Sequence, residues 1–154
     1  MIRKARLDDI KRMHTIINGF ADQGRMLARS LAELYDGVRD YTVECDGVAE
    51  PGTVTGCCAL HIVWDSLGEI RSLAVAKECQ GRGVATRLVE ACLAEATALG
   101  VKRVFALTYI PDFFIRLGFE PIDKAELPHK VWSDCMHCPK FPDCDEVAMV
   151  MDFK

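Results

Sequence analysis

The spacing of apolar residues changes from segment to segment along this chain, and each spacing predicts an element. Ile2 to Ala5 reads as a short first strand. Ile10, Met13, Ile16, Ile17 and Phe20 then recur at helical intervals behind Asp8 or Asp9, either of which can cap the helix, and Gly19 weakens its end. Ser30 and Glu33 form an S-x-x-E capping box for a second short helix that stops near Gly37. Tyr41 to Cys45 and Val54 to Trp64 alternate apolar and polar side chains around Asp46-Gly47 and Pro51-Gly52, which predicts an antiparallel pair with a slightly long connection. Asp65-Ser66-Leu67-Gly68 turns the chain into a central strand, buried from Ile70 to Val75. After a short polar connection, Gln80-Gly81-Arg82-Gly83-Val84-Ala85 opens a long helix, Val84 to Leu99, closed by Gly100. Val101 to Thr108 is the next apolar strand, and Pro111 starts a short helix that runs through Leu117 to Gly118. Val147, Met149, Met151 and Phe153 alternate along a last strand.

This order, with 154 residues of which 50% are hydrophobic, predicts one domain over 1–154 with a core that needs no staples. The net charge is -4 and no run of lysine or arginine makes a footprint for nucleic acid, so no nucleic-acid partner is expected. No apolar stretch reaches the roughly 18 residues of a membrane span, and the N-terminus has no apolar signal core, so a cytoplasmic protein is expected. In that setting eight cysteines argue for reduced thiols or metal ligands before a disulfide framework. Cys45, Cys57, Cys58, Cys79 and Cys92 fall in strand, connection or helix patterns and read as small apolar fillers.

The strand, glycine turn and helix around Gly81 and Gly83 carry the candidate chemistry. Glycines let backbone come close to an anion, and the first N–H groups of a helix lack internal partners, so phosphate is the natural guest. Neither common nucleotide fingerprint fits. A dinucleotide turn needs a third glycine and an acidic residue about 20 positions on, and a phosphate loop needs a lysine after its last glycine. The stretch does match Q-x-x-G-x-A, the diphosphate signature of the Gcn5-related N-acetyltransferases, and the chain resembles that superfamily over nearly its whole length. Phe113-Phe114-Ile115-Arg116-Leu117-Gly118-Phe119 is similar to the family's F-Y-x-x-x-G-F.

The resemblance implies an α/β (α+β) fold: a mixed, mostly antiparallel sheet flanked by helices, with strands 4 and 5, Glu69 to Val75 and Val101 to Thr108, splayed apart. It implies acetyl-CoA, with the diphosphate on the backbone of Gln80, Gly81, Arg82, Gly83, Val84, Ala85 and Thr86 and the pantetheine arm along Leu73 and Val75. It places Glu69 where several members carry a glutamate base. It also implies that a backbone N–H near Leu73 or Ala74 polarises the thioester carbonyl. The family's tyrosine acid is Phe114 here, which has no proton to give, so Tyr109 is the nearest substitute and water the other source.

Within the superfamily, R-M-L-A-R-S at Arg25 to Ser30, the glutamate of G-E-I-R-S-L-A-V, Phe113-Phe114 before L-G-F, and L-P-x-K at Leu127 to Lys130 resemble the short stand-alone N-acetylglutamate synthases of arginine biosynthesis. An acceptor with two carboxylates suits arginine and lysine partners: Arg29, Arg71, Lys130 and Arg25, with Ser30 beside them. Transfer to another amino acid or peptide amine, and a non-catalytic acyl-CoA or metal-sensing module, remain as alternatives, and a homodimer is left open. Last, the cysteine-rich loop at 129–146 holds Cys135, Cys138 and Cys144 at a spacing that suits a structural zinc, with His129, His137 or Asp145 as the fourth ligand. Free buried thiols or a disulfide would account for the same residues.

Overall fold

A computed structural model of the chain describes residues 1–22, 28–46, 53–127 and 146–153. In order it runs β1 (Ile2–Lys4), α1 (Ile10–Ala21), α2 (Leu31–Asp36), β2 (Tyr41–Asp46), β3 (Thr53–Trp64), β4 (Leu67–Val75), α3 (Val84–Leu99), β5 (Arg103–Thr108), α4 (Pro111–Arg116), β6 (Glu120–Ile122) and β7 (Val147–Asp152). The strands form a seven-stranded mixed sheet in the order β1-β2-β3-β4-β5-β7-β6. β4 and β5 pair in parallel, Leu67 with Arg103, Gly68 with Val104 and Glu69 with Phe105. That ladder runs no further among the described residues. No helix among the described residues is long and apolar enough to cross a membrane.

The chain divides into two compact units, Met1–Leu60 with Ile70–Glu95, and His61–Glu69 with Ala96–Lys154. In the first unit the helical stripe read from sequence is the buried one: Ile10, Met13 and Ile17 of α1 are fully covered, together with Leu34 of α2, Val43 of β2 and Cys57 of β3. Neither aspartate caps α1 through its side chain, contrary to expectation. Asp9 instead accepts the Arg6 amide at 2.7 Å and a two-pronged contact from the Arg3 guanidinium at 2.7 and 3.0 Å, tying the end of β1 to the entry of α1. Gly56 of β3 is a point of close approach. A methyl there would meet Val84 Cγ1 at 3.0 Å, the Ala74 carbonyl oxygen at 3.1 Å and Leu88 Cδ1 at 3.1 Å. Only glycine lets α3 lie this near the sheet.

In the second unit β5 pairs with β7 along its whole length, from Arg103↔Asp152 to Thr108↔Val147. Val63, Leu67, Phe105, Leu127, Ala148 and Val150 form its core. The turn before β4 is shorter than predicted: Asp65 and Ser66 make it, with Ser66 at φ 60°, and Leu67 and Gly68 are already strand. β7 does not alternate as expected either. Ala148, Met149 and Val150 are all buried while Val147 is exposed, the pattern of a strand covered on both faces. Hydropathy spacing gives no sign of β6. Its Pro121 has no N–H to donate, and the strand sits at the end of the described order, the position where proline is tolerated. Phe114 is buried, edge-on to Phe113 and to Phe119 with ring centroids 5.1 Å apart in each pair.

Candidate functional site

The glycine turn forms as the sequence predicts. β4 ends at Val75, a 3-10 turn covers Lys77–Cys79, and α3 begins at Val84. Gly81 and Gly83 lie at φ +80° and +79°, left-handed conformations that suit glycine, and Gly81 faces open space where a side chain would stand. The Arg87 amide donates to the Gly83 carbonyl at 3.1 Å as a helical i→i−4 bond, so the amides of Val84, Ala85 and Thr86 come ahead of the ladder. Gln80, Gly81, Arg82 and Gly83 are exposed, Ala85 and Thr86 half-buried and Val84 buried. A glycine-lined arc of backbone at the start of a sixteen-residue helix fits a diphosphate. The Gln80 side chain is engaged elsewhere, donating through Nε2 to the Val75 carbonyl at 3.2 Å and tying the turn to the end of β4.

Within β4 the backbone leaves the extended region at Ser72, whose φ is 56°. Left-handed backbone at a non-glycine residue is uncommon, yet burial still alternates across that point, with Ile70, Ser72 and Ala74 buried. Glu69, Arg71 and Leu73 are half-buried, and Val75 is buried. Ser72 is buried, its carbonyl accepts from the Cys57 thiol at 3.7 Å, and its side chain hydrogen-bonds the Tyr41 hydroxyl. Burial pushes the Tyr41 phenol upward, while Ser72 and the positive charges of Arg29 and Arg71 pull the other way. Sequence spacing does not single out Tyr41, whose hydroxyl is buried beside Ser72.

Arg29 has more structural explanation than the sequence offered. Its amide donates to Asn18 Oδ1 at 3.2 Å, its carbonyl accepts from Asn18 Nδ2 at 3.1 Å, and its Nη1 reaches Glu33 at 3.3 Å. Its Nε–H is buried with no acceptor. A buried donor left without a partner costs free energy comparable to a lost hydrogen bond, so the position suits an incoming carboxylate. Ser30 caps α2 as expected, its Oγ accepting from the Glu33 amide at 3.1 Å while the Ser30 amide donates to Glu33 Oε1 at 3.3 Å. Its hydroxyl is therefore already used.

Tyr109 is half-buried just after β5. Lys130, Arg25, Cys135, Cys138, Cys144 and the other predicted zinc ligands lie outside the described residues. Among the described residues no cluster of His, Cys, Asp and Glu is arranged to hold a metal. Cys45, Cys57, Cys58 and Cys92 are buried free thiols, as fillers should be, and Cys79 is half-buried.

The acetyltransferase (GNAT) family profile matches residues 10–119. An uncharacterized N-acetyltransferase of Chlorobaculum tepidum is 42% identical over 149 residues, covering 97% of this chain and 94% of that protein. An amino-acid acetyltransferase of Mycobacterium tuberculosis is 33% identical over 134 residues, 87% of this chain and 76% of that one. Among solved structures, N-acetylglutamate synthase from Neisseria gonorrhoeae, complexed with coenzyme A and N-acetyl-glutamate, superposes with a TM-score of 0.89 at 26% identity. The superposition covers 100% of this chain and 35% of that one.

Proposed function

Because this chain belongs to the acetyltransferase (GNAT) family, we propose that it moves the acetyl group of acetyl-CoA to the α-amine of L-glutamate. The observation that carries the donor half is the turn itself: Gly81 and Gly83 at positive φ ahead of the free amides of α3. The acceptor half is supported by the buried Arg29 Nε–H that has no acceptor. An amino-acid acetyltransferase among the relatives and an N-acetylglutamate synthase among the structural neighbours favour the same reading.

Acetyl-CoA supplies a thioester with a thiolate as leaving group. In this reading the amides from Gly81 to Thr86 receive the diphosphate and Leu73 to Val75 pair with the pantetheine arm. A backbone N–H at Leu73 or Ala74 polarises the carbonyl. Arg29, Arg71 and Lys130 hold the two carboxylates of the acceptor so that its nitrogen is presented in line. Glu69 takes the amine's proton as the N–C bond forms and the C–S bond breaks, and the sulfur takes a proton from Tyr109 or water. Phe114, locked between two other rings, has no part in proton transfer.

The test is thiol release from acetyl-CoA across a panel of amino acids, with the protein's own thiols blanked. Release that depends on glutamate supports the proposal. Release with other amines and not glutamate replaces the acceptor, and no release with any amine overturns catalysis.

A further inference from the structure

Transfer chemistry leaves one built feature of the first unit unused, the ion pair between Glu44 of β2 and Arg87 of α3. Glu44 is charged, yet its side chain is only 10% exposed. The β2–β3 register shifts between Glu44 and Cys45, a bulge of the kind that re-aims a side chain, and the Thr55 hydroxyl holds the Glu44 carbonyl at 3.1 Å. The carboxylate receives two donors from one guanidinium: Arg87 Nε on Oε1, and Nη2 on Oε2 at 3.0 Å. That contact, against the opposing effect of burial, holds the Glu44 carboxyl below its ordinary range, so the anion persists at neutral pH.

The third prong of Arg87 does something different. Its Nη1 donates to the Arg82 carbonyl at 2.9 Å, inside the glycine turn. A Cβ on Gly83 would come within 3.1 Å of that same nitrogen, so the guanidinium lies directly behind the turn. A trans peptide directs its C=O and its N–H to opposite sides. Once Arg87 holds the Arg82 oxygen, the Gly83 N–H of the same peptide must point away from Arg87. Nε, Nη1 and Nη2 all have protein acceptors, and the charge is met by Glu44, so Arg87 acts as a strut in this arrangement.

We infer that Glu44 and Arg87 are positioning residues for the donor: Arg87, anchored by Glu44, fixes the Arg82–Gly83 peptide so that the Gly83 amide meets the coenzyme's diphosphate. This rests on the reading of the turn as the diphosphate seat. The sequence signature covers the turn but neither member of the strut, since Glu44 is some forty residues away in the chain.

The experiment compares two donors, acetyl-CoA and S-acetylpantetheine, the second carrying the same thioester without the diphosphate. Arg87→Met and Glu44→Gln should each lower kcat/KM for acetyl-CoA about tenfold, the loss residing in KM, as for a removed charge-assisted hydrogen bond. With S-acetylpantetheine the loss should be much smaller. Arg87→Lys, which keeps the charge but not the fork, should restore only part of the acetyl-CoA preference. A merely structural role would depress both donors together, and equal losses with both overturn the inference. The lysine variant serves if either of the others melts below the assay temperature. Failure of the underlying reading looks different: the unmodified protein would then show no preference for acetyl-CoA over the truncated donor.

Discussion

One extra methyl group, placed at two different glycines of the same unit, should change stability in opposite directions. At Gly56 the new carbon would sit 3.0 Å from Val84 Cγ1 and 3.1 Å from both the Ala74 carbonyl oxygen and Leu88 Cδ1. Two of these neighbours are side chains of α3 that can yield by a few tenths of an ångström; the third is backbone of β4 and cannot yield cheaply. Burying a methyl is worth about 0.8 kcal/mol, whereas forcing an extra carbon into a filled site costs about 1–3 kcal/mol. The net for Gly56→Ala is therefore a loss of roughly 0.2–2 kcal/mol, up to about 8 °C in Tm at this size. Gly19 is exposed near the end of α1, and a methyl there meets nothing within 4 Å. Replacing a helical glycine by alanine removes backbone freedom from the unfolded chain, so Gly19→Ala should gain about 0.5–1 kcal/mol. Thermal unfolding of the three proteins in one buffer reads both signs. Val84 is also the first residue of α3, so the crowded variant should show a raised KM for acetyl-CoA and Gly19→Ala should not. A Gly56→Ala protein that melts with or above the parent refutes the packing argument, and a Gly19→Ala protein that melts below it refutes the helix argument.

Glu69→Gln should lower kcat by about a hundredfold with little change in either KM, the loss typical of removing a general base; unaltered turnover would clear Glu69 of that role. Arg29→Ala and Lys130→Ala should raise KM for glutamate far more than for acetyl-CoA, measured by varying each substrate at saturation in the other, and an equal effect on both would dissociate these residues from the acceptor. The carboxyls of Asp9 and Glu44 lie below their ordinary range. At Asp9 burial works against this, but Arg3 and the Arg6 amide prevail; at Glu44 the Arg87 bond dominates. A depressed carboxylate stabilises fully above its unfolded pKa of about 4, and that contribution is lost as pH falls through the lower folded value. Urea midpoints should therefore hold from neutrality to about pH 5 and fall in acid, and Asp9→Asn should flatten that fall. Burial pushes the Cys57 thiol up to about 12, and a hydrogen bond with the Cys92 thiol, together with burial, holds the Cys58 thiol high as well. At pH 8 a thiol reagent should leave Cys57 and Cys58 unmodified in the folded protein and label them after denaturation.

What sequence spacing reveals is local, and the molecule divides along that line. The α1 stripe, the Ser30–Glu33 box, the Gly81–Gly83 turn and the closing Gly100 and Gly118, at φ +87° and +101°, are each set by neighbours a few residues apart, and each is where the pattern put it. The strut of Glu44 and Arg87 joins partners distant in the chain, so no periodicity could mark it. Tyr41 looks like any strand aromatic until the fold buries its hydroxyl beside Ser72. Ser72 itself, a left-handed residue inside an apolar run, is invisible to hydropathy because its conformation depends on the surrounding sheet. β7 departs from alternation because it is covered on both faces, and β6 is too short to register as a pattern.

The two outermost described strands, β1 and β6, are each three residues long, and β6 has Pro121 at its centre. Unsatisfied backbone at a sheet margin is what lets one polypeptide zip onto another and start fibrils. Here the margin at β1 is brief and the one at β6 is interrupted by an imino acid. Among the described residues, the two ends of the sheet therefore offer another chain little backbone to extend.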